Sequence, residues 1–158
     1  MSDLEPLPDD RFLAVIRDTP LVAIDLLIAF DGQVLLGRRK NRPARGTWFV
    51  PGGRILKNET LQVAFSRISA KELGEGIAWA FARFHGVFEH FYMDDFFGQD
   101  VGTHYVVLAY VVNLDPQMFN ALPTGQHSQF ELFGVEELCN HSEVHPYTKQ
   151  YFDKGFKA

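Results

Sequence analysis

Apolar residues follow two different rhythms along this chain, and each marks a kind of element. Leu21–Phe30, LVAIDLLIAF, is apolar and β-branched, as a strand requires. Asp31-Gly32 separates it from Gln33–Arg39, and an Asp-Gly pair between two such runs is a strong hairpin signal. Residues 41–53 hold three glycines and two prolines, which predicts a loop with Trp48-Phe49-Val50 as a short strand inside it. The rhythm then changes. Leu61, Ala64, Phe65 and Ile68 recur at i, i+3, i+4 and i+7, the buried stripe of a helix. Asn58 is placed to cap this helix, Glu59 to occupy its first turn, and Gly74 to stop it.

Downstream, Ile77–Tyr92 and Thr103–Asn113 read as two long antiparallel strands joined by the acidic, glycine-bearing segment 93–102. Ser128–Phe133 predicts a further strand and Val144–Lys154 a terminal helix. Near the start, residues 9–17 predict a short helix with Phe12, Val15 and Ile16 on one side. Strands before and after a central helix, with helices at both ends, imply an α/β fold, an α/β/α sandwich around a mixed β-sheet.

With 158 residues and no repeat or composition break, a single domain over 1–158 is expected. Apolar residues make up 46%, enough to build a core. A net charge of −5 argues against a general nucleic-acid binder, which would present a basic face. The positive charge is local instead: Arg38, Arg39, Lys40, Arg42, Arg45 and Arg54 cluster around the glycine loop. Either they form a solvated loop or they meet an anion, and the clustering favours the anion. Cys139 is alone, which excludes a disulfide framework and a cysteine metal cluster. The acidic, proline-rich start does not resemble a signal peptide, and no apolar run approaches the roughly 20 residues of a membrane span. A soluble, cytoplasmic protein is expected.

The chemistry concentrates in two places. Adjacent glycines, Gly52-Gly53, let backbone approach a ligand closely, and a helix follows with Glu72 near its buried side. A carboxylate there needs a cation or several donors. An arginine partner is one answer; the neighbouring glycine loop favours a metal, with magnesium preferring such oxygen ligands. Among the histidines, His85 and His90 lie in an aromatic strand and read as hydrogen-bonded core residues, and His104 carries no special signal. His141 and His145 read as exposed. His127 stands apart in the loop Pro123-Thr-Gly-Gln-His-Ser, where function concentrates more often than packing.

The segment GGRILKNETLQVAFSRISAKELG at 52–74 resembles the Nudix box. Gly53, Glu59, Arg67, Glu72 and Gly74 match it, whereas Ile68, Ser69, Lys71 and Glu75 depart, two of them from carboxylate positions. LLGRRKNRPARGTWFVPGGR at 35–54, GVFEHFY at 86–92, THYVVLAY at 103–110 and the Gln126-His127 pair extend the likeness over residues 12–155. Together they resemble the GDP-mannose mannosyl hydrolases, an atypical Nudix family that shares the loss of helix glutamates.

This resemblance implies a Nudix fold and a Mg²⁺ ion, with Mn²⁺ or Ca²⁺ as substitutes, held by the Gly52 carbonyl, Glu72 and Gln126. It implies His127 as general base, Asp25 on the sugar or base side, and Arg39, Arg54 and Tyr105 on the diphosphate. Arg67 would orient helix carboxylates. The implied activity is hydrolysis of GDP-mannose, or GDP-glucose, to GDP and free sugar, by water attack at the anomeric carbon with inversion. A homodimer is also implied. Two alternatives stand beside it: a conventional pyrophosphohydrolase that cuts P–O, and a non-catalytic nucleotide-sugar sensor.

Overall fold

The computed structural model describes residues 6–115, 127–153 and 156–157. In chain order the elements are α1 (Asp9–Asp18), β1 (Leu21–Phe30), β2 (Gln33–Arg39), β3 (Trp48–Phe49), β4 (Gly52–Arg54) and α2 (Leu61–Leu73). Then come β5 (Arg83–Tyr92), β6 (Thr103–Asn113), β7 (His127–Gly134), α3 (Val135–Asn140) and α4 (Pro146–Gln150). The described strands form one mixed sheet, with β1 at its centre. β1 runs parallel to β6 from Leu21–Tyr105 to Ala29–Asn113. On its other edge two strands share it: β4 pairs with the first half (Asp25 opposite Gly52) and β2 with the last residues (Ala29 opposite Val34). The hairpin expected at Asp31-Gly32 is there, with φ of +44° and +78°. Positive φ at both positions is what a twisted two-residue hairpin demands.

Both faces of the sheet are covered, so β1 is buried along most of its length. Ile24, Leu26 and Ile28 face α2 through Ala64, Phe65 and Ile68. Ala23, Leu27 and Ala29 point the other way, toward Leu138, Tyr151 and Phe152 of the C-terminal region. Each such side chain removed from water contributes about 1.5–3 kcal/mol. Asp25 occupies the alternation between Ala23 and Leu27, so it is turned toward Tyr151 on a face otherwise apolar.

The structure corrects several local expectations. Thr60, not Asn58, caps α2: its Oγ1 accepts the Val63 N–H at 3.2 Å. Asn58 has φ +70°, outside the extended region a helix cap uses. Glu59 therefore lies before the helix rather than in its first turn. Leu61 is exposed, and the buried stripe runs instead through Ala64, Phe65, Ile68 and Glu72. Gly74 stops the helix as expected, with φ +84° and its N–H on the Ala70 carbonyl at 2.9 Å. Gly52–Arg54 forms a strand rather than loop. The strand expected from Ile77 begins only at Arg83, after a single 3₁₀ turn at Trp79–Phe81. β7 continues to Gly134 and leads into a helix, α3, that carried no sequence signal; the terminal helix shrinks to Pro146–Gln150.

Candidate active site

A cleft of about 300 Å³ opens where β4 and β2 separate on the edge of β1. Its wall includes Asp25, Arg39, Gly52, Arg54, Glu72 and Tyr105, with Arg67 at the rim of α2. All the expected site residues that are fully described thus converge on one cavity. Gln126 and the His127 side chain lie outside the described residues. The backbone of His127 is placed: it begins β7 directly opposite Arg39.

Glycine at 52 is required by close approach. A Cβ there would collide with Asp25 Oδ1 and lie only 2.7 Å from the Ile24 carbonyl oxygen. Gly53 rests on Ile68, whose Cγ1 would be 3.1 Å from an added Cβ. Ile68, one of the departures from the box, is thereby a core residue supporting the glycine strand. Lys71, the other lost carboxylate position, lines the cleft.

Arg67 does not face the substrate space alone. Its Nε and Nη2 grip Glu59 Oε1 and Oε2 at 2.5 and 2.9 Å, and Nη2 also donates to the Arg54 carbonyl at 2.8 Å. Glu59 is fully buried at its side chain and accepts the Leu56 N–H at 2.8 Å. The pair ties α2 to β4 and sets the helix against the glycine strand. Arg54 stacks its guanidinium 3.9 Å from the Phe12 ring of α1. Arg39 is anchored by Nε on the Pro43 carbonyl at 3.0 Å and lies over Phe49. Among the described residues neither guanidinium is hydrogen-bonded to a carboxylate, which suits both to an anion.

Asp25 is a strongly perturbed carboxylate. Burial raises its pKa to about 7, opposed by the Tyr151 hydroxyl and Arg39, and reinforced by Glu72. The Tyr151 hydroxyl donates to Asp25 Oδ2 and lies 3.2 Å from His90 Nε2. With its one proton on Asp25, Tyr151 can only accept from Nε2, which sets the neutral His90 tautomer. Burial lowers the His90 pKa to about 4, aided by His145. His90 is thus the core histidine expected, but it also lines the cleft. Burial raises the Tyr105 phenol, against the pull of Arg39 and Arg54, so it stays a hydrogen-bond donor at neutral pH. His145, expected at the surface, is half-buried against Phe49 and Tyr92.

Sequence reasoning missed Tyr151, Tyr92, Phe12 and the cleft role of His90. Tyr151 is 126 residues from Asp25, and no local pattern links them. Only the unpaired Asp25 inside an apolar run signalled that a distant donor was needed.

The site can accommodate a hard cation. Two buried carboxylates, Asp25 and Glu72, flank backbone that glycine leaves bare, and oxygen donors of this kind suit magnesium. Among the described residues no three His, Cys, Asp or Glu side chains converge. Backbone oxygen would have to complete such a site.

Comparison with known proteins gives the family. The family model of the NUDIX domain matches residues 19–154. The chain belongs to the Nudix family. It is 43% identical over 148 residues to the low-salt glycan biosynthesis protein Agl8 of Haloferax volcanii, covering 93% of this chain and 89% of that protein. A shorter match, 40% over 55 residues, joins it to an ADP-ribose pyrophosphatase of Methanocaldococcus jannaschii, with 35% of this chain and 32% of that one covered. The MutT Nudix hydrolase of Burkholderia pseudomallei shares the fold, with a TM-score of 0.68 at 22% identity, spanning 88% of this chain and all of that one. So does the Nudix domain of Shewanella oneidensis NrtR, solved with ADP ribose, with a TM-score of 0.60 at 18% identity over 92% and 96% of the chains. The fold is therefore that of a Nudix hydrolase, a group that generally uses divalent metals. No helix among the described residues is long and apolar enough to cross a membrane.

Proposed function

We propose that this protein hydrolyses a nucleotide sugar of the GDP-mannose type at the anomeric C–O bond, releasing GDP and free sugar. The observation that carries the reading is the composition of the cleft. Arg39, Arg54 and Tyr105 supply three anion-directed donors, while Ile68 and Lys71 remove two of the helix carboxylates that P–O cleavage would use. The relative named for glycan biosynthesis fits a sugar-nucleotide substrate.

In this mechanism Arg39 and Arg54 hold the diphosphate and stabilise the charge that gathers on it as the bond breaks. Tyr105 donates a further hydrogen bond. The Gly52 carbonyl, Glu72 and Gln126 would hold Mg²⁺ or Mn²⁺, which neutralises the diphosphate and improves it as a leaving group. Asp25, fixed by Tyr151, presents an acceptor to sugar hydroxyls. Water attacks the anomeric carbon from the face opposite the diphosphate, and His127 takes its proton. The electrons of the C–O bond pass to the diphosphate oxygen, so the sugar emerges inverted. A histidine suits this task near neutral pH.

The second reading is P–O cleavage, favoured by the relative named an ADP-ribose pyrophosphatase. ³¹P NMR of GDP-mannose incubated with the protein and Mg²⁺ separates the two. Signals of GDP support the proposal; GMP with mannose 1-phosphate means pyrophosphate cleavage. An unchanged spectrum with retained binding means a non-catalytic sensor. In the proposed mechanism His127→Gln lowers kcat by about 10²–10⁴ with binding kept, and near-full turnover in that variant would remove His127 from the mechanism.

We also infer a homodimer. β5 is the outer strand on its side of the sheet, and Phe84, Val87 and Phe91 are exposed along it. Sedimentation equilibrium tests this, and a monomer at high concentration would exclude it.

A further inference from the structure

Five of the six basic residues near the glycine loop line cavities, and the sixth, Arg38, pairs with Glu143 at 2.7 Å. Arg39 and Arg54 line the cleft described above. Lys40, Arg42 and Arg45 line a second cavity of about 370 Å³, together with Asn41, Phe96, Phe97 and Gly98. The two cavities share Asn41, Arg42 and Phe96, so they are contiguous. Three of the second cavity's seven lining residues are cationic and none is a carboxylate. In a chain of net charge −5, such a concentration draws anions to one spot.

Both walls of this cavity are set in advance. On one side the 40–47 loop closes on itself. The Gly46 N–H meets the Arg39 carbonyl at 2.9 Å, the Arg39 N–H meets Thr47 O at 3.0 Å, and the Thr47 hydroxyl meets Ala44 O at 2.6 Å. On the other side Asp95, fully buried, gathers the N–H groups of Phe97, Gln99 and Val101 at 2.9–3.1 Å. Those bonds hold its carboxyl below the ordinary range against the opposing effect of burial. The walls are clamped together by Arg42 Nη1 on Asp94 Oδ1 at 3.0 Å. Lys40 and Arg45 flank this clamp on the same loop, both exposed.

We propose that this second cavity is an anion-binding subsite, separate from the diphosphate cleft, that takes a phosphate or carboxylate group through Lys40 and Arg45, with Arg42 as the fixed third donor. Charge-assisted bonds to a doubly charged phosphate are the strong kind, and preorganised loops lose little freedom in making them. The anion has two possible sources. It is either a second anionic group on the nucleotide ligand or a free anion bound beside that ligand.

The test uses the full chain, labelled with ¹⁵N, in EDTA and at constant ionic strength, with inorganic phosphate as the probe. Gly98 lines only the second cavity and Gly53 only the first, so their amides report separately. The expected result is a saturable shift at Gly98, with a midpoint weakened about tenfold or more in the Lys40→Gln/Arg45→Gln double variant. A linear, non-saturating response at Gly98 would overturn the proposal. So would the same midpoint in wild type and variant. Gly53 keeps its own phosphate response in both proteins, so loss of the subsite is distinguished from loss of the cleft. Repeating the titration with GDP-mannose and Mg²⁺ assigns the source. Competition at Gly98 marks a second anionic group of the nucleotide ligand, and undisturbed phosphate binding marks a free anion.

Discussion

Replacing Asp25 by Asn should stabilise this protein, and only above a definable pH. In the unfolded chain the carboxyl titrates at its ordinary value of 3.8; in the fold, burial moves it to about 7. Between those values the unfolded state has lost its proton and the folded state has kept it. The folded state then binds more protons, so stability falls as pH rises through this window. At about 1.4 kcal/mol per pH unit, the whole span costs the wild type about 4 kcal/mol by pH 7, and the cost is constant above it. Asn is nearly isosteric, keeps an oxygen for the Tyr151 hydroxyl, and carries no charge. In a chain of this size each kcal/mol moves Tm by about 2–4 °C, so Asp25→Asn should raise Tm by about 8–16 °C at pH 8. The gain should shrink steadily below pH 7 and vanish near pH 4. Thermal melts of both proteins from pH 4 to pH 8, with EDTA to exclude cations, measure it. The difference between the two curves isolates Asp25 from other titrating groups. A difference independent of pH would refute the reasoning, because it would show that a neutral packing or hydrogen-bond change governs the site. A variant destabilised at pH 8 would refute it more directly.

Glu59→Ala leaves Arg67 half-buried without its carboxylate, and should cost about 3–5 kcal/mol in urea unfolding; a loss below 1 kcal/mol would show that the pair does not secure α2. Gly52→Ala forces a methyl group against the Ile24 carbonyl and Asp25, so about 1–3 kcal/mol of stability should be lost together with cation-dependent activity. Full activity with unchanged melting would show that β1 and β4 can move apart. Tyr151→Phe removes the only described donor to Asp25 Oδ2, so Asp25 should titrate still higher, visible by ¹³C NMR of the carboxyl carbon. An unmoved titration would show that the hydroxyl does not hold the charge.

Much of the site was legible because its residues lie in local motifs. The glycine pair and Glu72 could be named from their own short stretch, and Arg39, Arg54 and Tyr105 through the family likeness of theirs; one cleft gathers them. Helix boundaries were less secure. Asn58 and Thr60 are both good capping residues two positions apart, and only the backbone turn at Asn58 decides between them. The helix Val135–Asn140 is six residues long, too short for periodicity to announce it.

The amino-acid order by itself determined the hairpin at Asp31-Gly32, the Ala64, Phe65 and Ile68 positions of the buried stripe of α2, and its glycine stop. Each depends on dihedral preferences and side-chain spacing within a few residues. The tertiary structure alone decided that Glu59 is buried on Arg67 and that Asp25 meets Tyr151 and, through it, His90. It alone split the basic cluster, setting Arg39 and Arg54 in the cleft and Arg38 on Glu143. These outcomes depend on which strands share the edge of β1 and on how the 40–47 and 93–102 loops are clamped. Such pairings join residues far apart in the chain, where local spacing carries no information about distance or solvent. Burial, and with it the charge state of Asp25, exists only once the layers have closed.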